Sequence, residues 1–200
     1  MTALDLYADQ ALGPDRAAAG PRVPPETVYD FNLLVSRSRG GYPRARREIL
    51  AILKALGDEK PTVSRTLVRG LIGVKTGLAP RDVVRGLRTL LGTNPLLVQY
   101  TCKWLPVDAW GSSDVEAMKD AIHRLRDRIE PTETWRMTLE KRRYTHHHQL
   151  ELIRILAEPI AAKVDLVHPD KILRVDILGP HAAMSVLTPD DIFSVARSPR

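Results

Sequence analysis

The feature that most constrains this chain is a change of hydrophobic period within residues 134–195. At Trp135, Met137 and Leu139 apolar residues fall at every second position, which on a pleated strand places them all on one face. From Leu150 the spacing becomes helical. Leu150, Ile153, Leu156, Ala157 and Ile160 fall on one stripe and predict an amphipathic helix over 149–162. A short apolar run follows at 164–166, then the turn composition His168-Pro169-Asp170-Lys171. Alternation returns over 172–177, Gly179-Pro180 breaks it, and 183–187 reads as one more strand. Neither a helical bundle nor a pure β-sandwich accommodates both periods, so the segment is a small α/β layer. Between its first strand and its helix lies a basic corner, Lys141, Arg142 and Arg143, followed by Tyr144 and three histidines, His146 to His148.

Upstream, Val28, Phe31, Leu33 and Val35 mark a strand over 28–35, and Arg37 and Arg39 sit in the loop that ends in Gly40-Gly41. A helix runs from about Pro43 to a stop at Gly57. Strands over 62–68 and 71–75 are expected around a tight turn at Arg69-Gly70. Pro80 opens a second helix that closes at Gly92, and a fourth strand is expected over 96–104. That order, βαββαβ, is the ferredoxin-like pattern. A further helix over 114–129, capped by Ser112 or Ser113, closes at Pro131. The domain reading is a flexible tail at 1–25, rich in Ala, Gly, Pro and Asp, a ferredoxin-like domain at 26–105, a linker at 106–113 and a second α/β domain at 114–197.

Net charge is +6, but its placement says more than its size. Residues 36–88 hold 13 Lys or Arg against 4 Asp or Glu, whereas 89–200 hold 15 of each. A basic first half suits an anionic partner. The single cysteine, Cys102, forms no internal disulfide and reads as a buried thiol in a reducing interior. No apolar run approaches the length of a membrane span and no secretory leader pattern opens the chain, so the expected location is the cytoplasm.

The motifs argue against catalysis. Around Gly70, Gly73, Lys75 and Gly77 the spacing departs from GxxxxGK[ST], because Val74 separates Gly73 from Lys75. A strand hairpin is also the wrong setting for a GxxG clamp between helices, so these read as turn glycines, with Lys75 and Thr76 open to RNA. Three consecutive histidines do not converge on one ion, and no Cys or carboxylate completes a tetrahedral set; no metal and no cofactor is expected. Asp165, Asp170 and Asp176 could be offered as catalytic carboxylates, but Asp165 and Asp170 read as ordinary turn or ion-pair residues. Trp104, Trp110 and Trp135 have the chemistry to stack on bases, but Trp135, at an alternating apolar position, reads as core.

The strand from Trp135 into Lys141-Arg142-Arg143, followed by VDLVHPDKILRVDILG and MSVLTPDDIFSV, resembles a THUMP domain, an RNA-binding module of tRNA-modifying proteins. FNLLVSRSRGG, VSRTLVRGLIGVKTGL and YTCKWLPVDAW resemble the domain that precedes it in the adaptors of tRNA acetylation. The resemblance spans Tyr29 to Ala196 and implies an RNA-binding protein, of an archaeal type, with no active site of its own. The partners it implies are tRNA and an RNA cytidine acetyltransferase that forms N4-acetylcytidine in the D-arm. With the chain closing at Arg200, the expectation is an adaptor acting in trans. The alternatives are the RNA-binding subunit of a split methyltransferase or thiolase, or a protein of ribosome assembly. The RNA-binding set read in this way is Arg37, Arg39, Lys75, Arg136, Lys141, Arg142, Arg143, Tyr144, His146, His147 and Lys171. Reversing Arg142 and Arg143 to Glu is expected to abolish tRNA binding and leave the fold intact.

Overall fold

The computed structural model describes residues 29–195, so the tail expected at 1–25 lies outside the described residues. The first unit contains β1 (Leu33–Arg37), α1 (Gly41–Ala55), β2 (Thr62–Arg65), β3 (Leu71–Lys75), α2 (Pro80–Thr93) and β4 (Thr101–Pro106). Its strands lie in the order β4-β1-β3-β2, with every neighbouring pair antiparallel. Each strand–helix–strand unit is therefore split by a strand of the other, which is the connectivity that the order of elements predicts. Both helices bury one face against the sheet: Ala45, Ile49, Ile52 and Leu53 from α1, and Val83, Val84 and Leu87 from α2, over Leu33, Val35 and Trp104.

Three expectations shift. The first strand runs Leu33–Arg37, not 28–35, so Arg37 ends the strand and does not sit in the loop after it. The fourth strand starts at Thr101, not at 96, because the Glu48 carboxylate on α1 accepts the N–H groups of Gln99, Tyr100 and Thr101. Those donors satisfy a side chain before the ladder begins. The connection between β2 and β3 is an open loop over 66–70, not a tight turn, with Thr66 Oγ1 bonded to the carbonyls of Val68 and Leu71.

The second sheet runs β5-β9-β8-β6-β7, from β5 (Ala109–Ser112), β6 (Thr134–Arg142), β7 (Lys163–Val164), β8 (Lys171–Leu178) and β9 (His181–Leu187). β6 is parallel to β7 and β8; the other pairs are antiparallel. α3 (Val115–Leu125) and α4 (Gln149–Ala157) cover one face, packing Met118, Ile122, Leu152 and Leu156 on Trp135, Leu139 and Val175. The cap of α3 is Asp114, whose carboxylate accepts from the N–H groups of Glu116 and Ala117; neither Ser112 nor Ser113 fills that role. α4 stops at Ala157, short of 162, because Pro159 offers no N–H and disfavours helical geometry in the residue before it.

The segment expected to link two separate units instead belongs to the second sheet. Ala109–Ser112 forms its edge strand β5, and Trp110 Nε1 donates back to the Phe31 carbonyl at 2.6 Å. The chain also returns. β10 (Phe193–Ser194) pairs with β4, setting Phe193 opposite Trp104 at the edge of the first sheet. Tyr29, Phe31, Leu34, Leu71 and Leu105 meet Leu178, Ala183 and Leu187 in a third buried cluster between the sheets. Each leucine or phenylalanine there contributes about 1.5–3 kcal/mol when fully buried, so the junction is a core in its own right.

Candidate nucleic-acid interface

At the end of the junction where β1 stops, a cavity of about 430 Å³ opens between the two units. Its walls come from the end of β1, the start of α1, the loop between β2 and β3, and the turn after β6. Arg37, Arg65, Arg69 and Arg143 line it together with Tyr42. Three of the four are placed by a local device. The pairing with β4 shifts register between Ser36, opposite Lys103, and Arg37, opposite Thr101, a bulge that kinks the ladder where Arg37 stands. The Arg65 guanidinium lies 4.2 Å from the centre of the Tyr42 ring, while the Tyr42 hydroxyl donates to the Val63 carbonyl at 3.0 Å. Stacking engages the flat face of the guanidinium and leaves its N–H edge open. Arg143 has φ +56°, the one left-handed conformation at a non-glycine among the described residues. That geometry costs on the order of 1 kcal/mol at such a residue. Beside it the Gly179 N–H donates to the Arg142 carbonyl at 2.9 Å, extending the β6–β8 ladder to its end.

None of these four arginines pairs with a carboxylate among the described residues, whereas the arginines deeper in the junction do. Arg81 grips Asp108 through two hydrogen bonds of 2.9 and 3.0 Å and donates to the Val186 carbonyl. Arg128 reaches the same carboxylate at 2.9 Å. Burial alone would raise the Asp108 carboxyl, but the bonds and charge of Arg81, the Val186 N–H and Arg128 hold it below the usual range. Arg174 and Asp176, both buried between the sheets, pair at 2.7 Å. Beside them Lys103 is pulled below the usual lysine range by burial and then by the Arg174 charge.

The residues singled out from the sequence do not form one surface. Arg37 and Arg143 line the cavity, and Arg39 lies in the adjoining loop with its Nε donating to the Gln99 carbonyl. Arg142 points to the opposite side of its strand from Lys141 and pairs with Asp176 at 3.1 Å and Glu140 at 3.6 Å, so it belongs to the junction network. Lys141 Nζ donates to the His147 carbonyl and sits 5.9 Å from the Tyr144 ring. Tyr144 is only 8% exposed and packs in the helix-side core, which removes it as a platform for bases. Burial, then the charges of Asp114 and Glu151, raise its phenol above the usual range. His146 and His147 line a separate hollow with Ser113, Asp114 and Val115, and His147 Nδ1 lies 3.7 Å from Glu151. No group of residues suited to hold a metal ion occurs among the described residues.

Lys75, Arg136 and Lys171 lie away from the cavity. Lys75 pairs with Asp30 at the opposite end of the first sheet, and Lys171 with Glu133 at the opposite end of the second. Arg136 donates to the Leu166 carbonyl at 3.0 Å. Thr76 is buried against Asp58, and Gly73 sits inside β3, not in a turn. Cys102 is half-buried, not buried. Asp165 and Asp170 accept backbone N–H groups in turns, as their sequence setting suggests. Trp104 and Trp135 are core. The sequence reading missed Arg65, Arg69 and Tyr42. The available signal was that Arg65 precedes and Arg69 sits in the glycine-containing loop within the most basic stretch of the chain.

No family model matches the sequence, and no curated protein does. Solved structures share the fold. PH1313 from Pyrococcus horikoshii Ot3 superposes with a TM-score of 0.58 at 15% identity, covering 81% of this chain and 54% of its own. A predicted N6-adenine-specific DNA methylase from Listeria monocytogenes str. 4b F2365 superposes at 0.51 and 12% identity, covering 78% and 40%. The THUMP domain of THUMP domain-containing protein 1 aligns at 27% identity over 39% of this chain and 91% of its own, with a TM-score of 0.33, too loose to bear on the fold. This chain spans about half the length of PH1313 and less of the methylase. No helix among the described residues is long and apolar enough to cross a membrane.

Proposed function

We propose that this chain is a non-catalytic tRNA-binding protein that holds tRNA for a separate RNA cytidine acetyltransferase, leading to N4-acetylcytidine in the D-arm. The observation that carries the RNA-binding part is the set of four arginines, without carboxylate partners among the described residues, converging from both units on one cavity. Guanidiniums without carboxylate partners are free to neutralise phosphates, and structured RNA is read largely through phosphates, shape and 2′-hydroxyls. The acetylation partner rests on the resemblance of Tyr29 to Ala196 to the adaptors of that reaction. Its contribution would be orientation, converting a weak encounter into a positioned one. The alternative, an RNA-binding part of a methyltransferase, takes its support from a fold neighbour described as a methylase and more than twice as long as the matched region.

The test is mass spectrometry of D-arm fragments from cells with and without the gene, joined to tRNA binding by the purified protein across a salt series. Loss of N4-acetylcytidine with the acetyltransferase still present supports the reading. An unchanged mark removes the acetylation role. Binding that does not weaken with salt removes phosphate recognition as its basis.

A further inference from the structure

We infer that the arginine cavity is a terminal-phosphate site: it takes the phosphate monoester at the 5′ end of an RNA, not a phosphodiester within the strand. The inference rests on the RNA-binding reading above and deepens it. An internal phosphodiester carries one charge and presents two free oxygens, which one or two guanidinium forks satisfy. A phosphate monoester carries about 1.5 to 2 negative charges at neutral pH and presents three acceptor oxygens. Arg37, Arg65, Arg69 and Arg143 place four formal charges around one cavity, with no carboxylate pairing to any of them among the described residues. The surplus matches the dianion better than the diester.

The site is also built in advance. Arg65 is held by stacking on Tyr42, with no ion pair among the described residues, which leaves its donor edge open there. Arg143 keeps a left-handed backbone that most residues avoid, and such strain persists where the surrounding fold imposes it. Gly41, the first residue of the 15-residue helix α1, lines the cavity as well, and no side chain caps that helix end. Its first N–H groups add donors and a positive dipole to what the arginines supply. The volume, about 430 Å³, lies within the range of small-ligand pockets, enough for a nucleotide end to enter.

The experiment uses the full chain and one tRNA transcript in two forms, with a 5′-monophosphate and with a 5′-hydroxyl, both labelled at the 3′ end. Dissociation constants come from fluorescence anisotropy near physiological salt. The expected result is binding of both forms with a preference of at least about tenfold for the monophosphate, equivalent to about 1.4 kcal/mol. Arg69→Ala and Arg143→Ala, both exposed positions, should each shrink that preference more than they weaken the 5′-hydroxyl form. Equal affinity of the wild-type protein for the two forms overturns the terminal-phosphate assignment and leaves RNA binding standing. An equal loss on both forms in the variants assigns the arginines to internal phosphates and overturns it too. Binding of neither form overturns the RNA-binding reading itself. A thermal-shift series with adenosine 5′-monophosphate against adenosine checks the site apart from RNA: stabilisation by the nucleotide alone is expected, and none by either counts against the site.

Discussion

Arg142 and Arg143 are neighbours in sequence with opposite structural duties, and reversing each charge separately should reveal it. Arg142 Nη1 lies 3.1 Å from Asp176, whose side chain is 5% exposed and also binds Arg174 at 2.7 Å. In Arg142→Glu a carboxylate replaces the guanidinium beside Asp176 and near Glu140, which is 3.6 Å away in the native protein. Removing one partner of a buried pair costs about 3–5 kcal/mol. Arg142 is itself 32% exposed and Asp176 keeps Arg174, so the cost falls below that range, to about 2–3 kcal/mol. For a domain of this size that lowers Tm by roughly 4–12 °C, since each kcal/mol is worth about 2–4 °C. Arg143→Glu breaks no ion pair among the described residues and should leave Tm within about 2 °C, as surface changes usually stay within 0.5 kcal/mol. Its effect belongs in RNA binding: one fewer neutralised phosphate flattens the plot of log affinity against log salt by about 0.7 to 0.9. Circular-dichroism melts and anisotropy titrations at three salt concentrations read both quantities. Equal Tm for the two variants would refute the assignment of Arg142 to the junction. It would restore the expectation that the pair can be reversed without touching the fold.

Asp108→Asn should destabilise by about 2–4 kcal/mol, because Arg81 and Arg128 lose the carboxylate they share between the units; urea unfolding measures it. The same carboxyl and Asp58 sit below their ordinary values in the folded protein, each despite burial, Asp58 through bonds from Thr76, Gly77 and Lys60. Their stabilising contribution is present above the ordinary carboxylate range and is lost as pH falls through the lowered folded values. Unfolding free energy should therefore decline below about pH 4, and less steeply in Asp108→Asn. Gly73→Ala should cost about 1–3 kcal/mol by overpacking, since a Cβ there would lie 2.3 Å from the buried Phe31 ring; a thermal melt decides it.

The alternation at Trp135, Met137 and Leu139 was legible in the sequence because it encodes one buried face, and burial of that face is local physics. The helical stripe was legible only in part: Leu156 is buried and Ile153, Ala157 and Ile160 pack against the core, but Leu150 is exposed and the buried Leu152 lay outside the stripe as read. The basic character of the first half was equally legible, since charge is countable without coordinates. Three things were not. That residues 109–112 form an edge strand depends on His181–Leu187, far along the chain, offering a free ladder. That Phe193 closes the first sheet depends on an exposed edge of β4. That Arg37, Arg65, Arg69 and Arg143 meet, while Arg142 turns to Asp176, depends on a bulge, a stacked tyrosine and a left-handed turn. Periodicity tells which face of an element is buried. Which unpaired charges come to share a cavity is set by how two sheets pack, and that is a property of the tertiary structure alone.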